Sequence, residues 1–250
     1  MCRHAQRTDD LAWERAPATA GISSGEVHLW RVALELDSEP DAHHMDLLCG
    51  DERLRAARIR HDRVRRTFVL ARAHLRTVLA QYTGLAPGRL SFVLNAAGKP
   101  SLAPQSGTHG IRFNVTHSGQ YALIAVSGQC EVGVDLERIR PRPSADGMVR
   151  RLFTDRERDR YFSLSDEERA AGFFTIWCRK EACVKASGVG VPALFRSLDV
   201  CDVAARPTRV VMDTDGGRVE LEACDLNPAP GFVGAVAAAG EIHVVRRWRL

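Results

Sequence analysis

V-G-V-D-L-E, residues 132–137, alternates as an extended strand does: Val132, Val134 and Leu136 fall on one face, Asp135 and Glu137 on the other. A strand whose apolar side enters a core therefore presents two carboxylates together. Further along, W-C-R-K-E-A-C-V-K, residues 177–185, has helical spacing. Trp177, Glu181 and Lys185 stand four apart, with Phe173 one turn earlier. A stripe that is apolar, then acidic, then basic describes a helix that leaves the core and ends at a polar site.

Outward from these runs the pattern repeats. Val27 to Leu36 reads as a strand. From Asp51 the apolar residues Val64, Phe68, Ala71, Leu75 and Leu79 recur at helical steps and close at Thr83-Gly84, giving one long helix or two successive ones. Leu90 to Leu94, Ile111 to Val115 and Tyr121 to Ser127 read as strands. N-A-A-G-K-P (95–100) and H-S-G-Q (117–120) are the turns between them. After Gly128 the order restarts with a strand at 131–137 and helices at 155–161 and 165–187. Strands follow at 208–212, 218–222, 232–238 and 242–248, the first two joined by a D-T-D-G-G turn. The repeated order predicts two α+β lobes, 26–127 and 128–250, with room for a ligand between them. Residues 1–25, polar and aperiodic apart from Trp13, are expected to form a loose extension.

Composition narrows the class. At 250 residues and 45% hydrophobic, the chain can bury a sizeable core. It has no apolar run near the roughly 18 residues of a membrane span, and its start lacks an apolar signal region, so a cytoplasmic, non-membrane protein is expected. Seven scattered cysteines without a C-x-x-C pair argue against a disulfide framework or a zinc site. The net charge of +4 is mild, but arginines crowd the stretch from Arg53 to Arg76. Such a run suits a solvated helix face, an acidic protein or a phosphorylated ligand. With 6% aromatic residues and no recognised motif, a nucleic-acid-binding module is the weaker reading.

Magnesium prefers oxygen ligands, keeps several waters and is usually held by a few carboxylates together with substrate phosphates. Asp135, Glu137 and Glu181 meet that need. Lys185 would set a positive charge on a phosphate beside the ion. The plainer alternative is an acidic strand end and a surface Glu–Lys helix pair. Lys99 in the G-K-P turn and Thr116 and His117 in N-V-T-H-S-G add further polar groups, expected in loops.

The succession G-K-P-S-L, F-N-V-T-H-S, G-V-D-L-E and F-F-T-I-W-C-R-K-E-A-C-V-K-A-S-G-V-G, between about Asp51 and Pro192, resembles the Sfp-type 4′-phosphopantetheinyl transferases. That family activates carrier proteins of polyketide and nonribosomal peptide synthesis. The resemblance implies two similar lobes in pseudo-twofold arrangement, each with an antiparallel sheet and packed helices, with coenzyme A and Mg2+ between them. Two lobes within one chain make a monomer sufficient, and no nucleic-acid partner is expected from the composition. By the same resemblance Asp135, Glu137 and Glu181 are metal-site positions, and Lys185 contacts the pyrophosphate. Thr116 and His117 contact the coenzyme's phosphates, and Lys99 lies near the nucleotide. Arg53 and Arg66 are expected at the 3′-phosphate and adenosine end, with Arg65 as competitor. The implied reaction is attack by a carrier serine on the β-phosphate, with Glu181 or a metal-bound water as base. The arginine run, or the segment from Arg138 to Arg151, is expected to help dock an acidic carrier domain. A different magnesium-dependent phosphate enzyme is the alternative that keeps the same carboxylates.

Overall fold

The computed structural model describes residues 13–17, 20–104, 108–189, 192–214 and 216–250. The chain begins with a short strand, β1 (Glu14–Arg15), then β2 (Glu26–Ala33) and three helices, α1 (Ala42–Leu47), α2 (Gly50–Arg58) and α3 (Asp62–Thr83). A small hairpin, β3 (Phe92–Leu94) and β4 (Pro100–Leu102), precedes β5 (Ile111–Ser118) and β6 (Tyr121–Gly128). The second half repeats this order with β7 (Val132–Arg138), α4 (Ala145–Leu152), α5 (Asp155–Phe162) and α6 (Asp166–Ser187). It ends in β8 (Thr208–Thr214), β9 (Gly217–Leu226), β10 (Phe232–Ala238) and β11 (Val244–Arg249). Among the described residues no helix is long and apolar enough to cross a membrane.

Two large sheets result, ordered β1-β11-β2-β6-β5 and β7-β10-β9-β8, beside the two-stranded β3-β4 sheet. Within them β2-β6-β5 and β7-β10-β9 are all antiparallel and follow the same connection order, so the two halves share one topology. Side-chain parity explains the layers. Val27, Leu29, Leu123 and Ala125 of the first sheet meet Val132, Val134, Leu136 and Val236 of the second in a core between the sheets. The alternate residues of β2 and β6, among them Trp30, Val32 and Ile124, pack with Leu75, Val78 and Leu79 of α3. Ala235 and Ala237 of β10 pack with Phe174, Cys178 and Ala182 of α6. The order is helix, sheet, sheet, helix.

The helix ends follow local chemistry. At α5 and α6 the N-caps Thr154 and Ser165 form capping boxes with Glu157 and Glu168. Both long helices stop at a left-handed glycine, Gly84 at φ 69° and Gly188 at φ 73°. The Arg-rich stretch is two helices, α2 and α3, broken at residues 59–61.

Three expectations need correction. The last strand was placed with the second lobe, yet β11 pairs in parallel with β2 inside the first sheet. Residues 13–17 and 20–25 of the expected loose extension are packed. Trp13 donates its indole N–H to the Asn227 carbonyl at 3.2 Å, β1 pairs with β11, and Ala20 is buried. Residues 1–12 and 18–19 of that extension lie outside the described residues. Thr116 and His117 were expected in a loop but sit within β5.

Candidate active site

The site forms where the edge strands β5 and β7 of the two sheets meet. They are joined by side chains instead of a backbone ladder. Asn114 Oδ1 accepts from Val134 N at 3.0 Å, and Thr116 Oγ1 donates to Asp135 Oδ1 at 3.2 Å. Ser118 Oγ donates to Glu137 Oε2 at 2.8 Å and accepts from Arg138 N at 3.1 Å. Residues 114, 116 and 118 share a face by the period of two. That polar ladder holds both carboxylates of D-L-E.

Above β7 crosses α6. The crossing is close because of Gly133: a Cβ there would lie 2.1 Å from the Ala182 carbonyl and 2.8 Å from Lys185 Cβ. Lys185 therefore reaches down, with Nζ 2.6 Å from Asp135 Oδ1 and 3.3 Å from the Val134 carbonyl. Burial opposes its charge, but Asp135 and Glu181 outweigh burial and hold its pKa above the ordinary lysine value. Asp135 is only 5% exposed, and its Oδ2 is buried with no hydrogen-bond partner. Glu181 lies near both carboxylates of the strand. Burial, then Asp135 and Glu137, push its pKa up, while Lys185 opposes them. Cys178, fully buried beneath, is an inert thiol whose pKa is raised by burial and by Asp135.

A cleft of about 250 Å³ opens beside these groups, lined by Gly98, Lys99 and Asn114 from the first half and by Glu181, Lys185 and Gly188 from the second. A second hollow of about 270 Å³ shares Lys99 and Gly188 with it and adds Ser101, Arg112 and Glu131. Both halves of the chain build this site.

Residues 131–237 match the family model of the 4′-phosphopantetheinyl transferase superfamily, and residues 39–129 match that of the 4′-phosphopantetheinyl transferase N-terminal region. The 4′-phosphopantetheinyl transferase HetI of Nostoc sp. is 35% identical over 231 residues, which cover 91% of this chain and 94% of that protein. The chain belongs to the 4′-phosphopantetheinyl transferase superfamily. The 4′-phosphopantetheinyl transferase Sfp of Bacillus subtilis is 24% identical over 213 residues, 82% of this chain and 88% of its own. AcpT of Escherichia coli is 35% identical over 97 residues, 39% of this chain and 48% of its own.

In this 4′-phosphopantetheinyl transferase, the structure brings Thr116, Asp135, Glu137, Glu181 and Lys185 together. Among the described residues no three His, Cys, Asp or Glu side chains close into a ready metal cage; Lys185 takes one oxygen of Asp135, and Ser118 donates to one of Glu137. His117 is exposed; partial burial, aided by the Lys185 charge, lowers its pKa. Lys99 spends its ammonium on protein acceptors: Glu131 Oε2 at 2.6 Å, Lys185 O at 2.8 Å and Val132 O at 3.0 Å.

The arginines divide. Arg66 and Arg65 both bind Glu39, Arg66 donating also to the Leu36 carbonyl, whereas Arg53 is exposed. Arg76 is wholly buried on Glu52. The stretch is thus no continuous basic face. Asn114 and Ser118 are the site residues that sequence reading missed. Their signal was there, since they flank Thr116 at steps of two in a strand.

Proposed function

We propose that this transferase moves the 4′-phosphopantetheine group of coenzyme A to a serine of an acyl or peptidyl carrier protein, with Mg2+ at the D-L-E site. The observation that carries the reading is the pairing of Lys185 with Asp135 beside Glu181, at a cleft built by both halves. The donor set suits magnesium: it is all oxygen, and one buried carboxylate oxygen, Asp135 Oδ2, lacks a partner. A closed cage is not required, because substrate phosphates and water normally complete the shell. Asp135, Glu137 and Glu181 would hold the ion, which when bound supplies positive charge to the pyrophosphate.

Lys185 neutralises charge on the pyrophosphate as it divides. The serine oxygen forms a bond to the β-phosphorus, the bond from that phosphorus to the bridging oxygen breaks, and 3′,5′-ADP leaves. The serine proton passes to Glu181, which lines the cleft beside Lys185, or to a water that the ion would hold. Thr116 holds Asp135, and Ser118 holds Glu137, in place. Arg53, Arg66 and His117 serve the phosphates of the nucleotide end in this reading.

The test is intact-mass analysis of an apo carrier protein incubated with coenzyme A, Mg2+ and the enzyme. A gain of one phosphopantetheine group, absent with folded Asp135→Ala and Lys185→Ala variants, is the expected result. No gain on any of several carriers, or nucleotide hydrolysis without a carrier, would sink the reading.

A further inference from the structure

Lys99 has three N–H bonds, and three acceptors of the protein stand within 3.0 Å of its nitrogen. Two are backbone carbonyls. The one on Lys185 belongs to the last turn of α6, where helix carbonyls have no partner within the helix. Its neighbour Gly188, the left-handed cap residue, gives its carbonyl to Asn95 Nδ2 at 3.3 Å. Asn95 Oδ1 in turn accepts from the backbone N–H groups of Ala97 and Lys99, both at 2.9 Å, and so shapes the turn that presents the lysine. The third acceptor, Glu131, is braced on its other oxygen by Arg112 at 3.0 Å. A turn from the first half of the chain thus closes the end of a helix from the second.

A positive charge at a helix C-terminus also opposes the negative end of its dipole. Lys99 is nearly covered, its side chain 12% exposed. The residue whose carbonyl it holds is the one whose side chain rests on Asp135. Fixing that carbonyl fixes the rotation of the last turn.

We propose that Lys99 is a positioning residue: it caps α6 from the opposite half and thereby holds Lys185 on Asp135, instead of contacting the substrate's phosphates. The activity arm of its test rests on the transferase reading above; the exchange arm does not.

Amide hydrogen exchange is measured on the whole chain without coenzyme A, comparing wild type with Lys99→Met and Lys99→Arg. Lys99→Met is expected to speed exchange at residues 184–188 and 131–133, and Lys99→Arg, which keeps charge and donors, to restore part of the protection. In the carrier assay Lys99→Met should lower kcat by about tenfold or more while KM for coenzyme A moves less than about threefold, as misplacement of a reacting group does. Unchanged exchange at 184–188 together with coenzyme A binding weakened about tenfold, read by calorimetry, would overturn the proposal and make Lys99 a ligand contact. If Lys99→Met does not fold, Lys99→Gln, which keeps two donors, is measured for the same two outcomes.

Discussion

The two long helices, α3 and α6, are built alike and used differently. Each runs 22 residues and stops at a left-handed glycine. At the same distance from its first residue each buries a cation, Arg76 in α3 and Lys180 in α6, both 0% exposed. Each cation pairs at 2.7 Å with a glutamate from the third position of a preceding short helix, Glu52 of α2 or Glu157 of α5, where that glutamate also completes a capping box. Each then donates to two carbonyls after its own helix: Pro87 and Leu90 for Arg76, Phe195 and Leu198 for Lys180. The same clamp ties helix, cap and following loop in both halves. One residue beyond it α3 carries Thr77 and α6 carries Glu181; a turn later they carry Gln81 and Lys185. The clamp is shared by both helices, whereas the proposed catalytic pair, Glu181 and Lys185, stands on α6 and has Thr77 and Gln81 at the matching places of α3.

The largest expected effect tests the clamp itself. Lys180→Met leaves buried Glu157 without its cation and should lower unfolding free energy in urea by about 3–5 kcal/mol; Arg76→Met leaves Glu52 with Arg72 at 3.4 Å and should cost somewhat less, about 2–4 kcal/mol. A loss confined to one of them breaks the equivalence. Next, Glu181→Gln and Lys185→Met should each reduce kcat about 100- to 1000-fold in steady-state carrier assays. Thr77→Val and Gln81→Met, at the matching places, should stay within about twofold of wild type.

A smaller effect concerns how near each helix lies to its sheet. The first sheet turns Trp30 toward α3, whereas the second turns Gly133 toward α6. Gly133→Ala should cost about 1–3 kcal/mol by overpacking and lower kcat by lifting Lys185 from Asp135, both read on one purified variant. Smallest is a pH effect. Because the folded pKa of Glu181 is raised, its contribution to stability is present at low pH and is lost as pH climbs through the folded value. The metal-free Glu181→Gln variant should therefore melt with wild type at about pH 4 and above it at about pH 7.5, by thermal unfolding. A gap that closes with rising pH would contradict the assigned shift.

Much of this was legible in the chain. The parity of V-G-V-D-L-E and the four-residue stripe from Trp177 to Lys185 are local periodicities, and the strand and helix they imply have the expected faces. The clamps were not legible, because Arg76 and Lys180 look like ordinary members of basic runs until their distant glutamates and carbonyls are in place. The ties of Lys99 are equally non-local, reaching residues 131, 132 and 185. The sheet membership of β11 has no local signal either, since an alternating segment does not state which edge it will join.

That last strand bears on how the chain comes off the ribosome. β2 is made early, and until residues 244–249 emerge one of its edges has no neighbour, while every strand of the second sheet has already been made. Synthesis order and assembly order are thus out of step: the half begun first is the half completed last, and a nascent chain carries an open sheet edge through most of its translation.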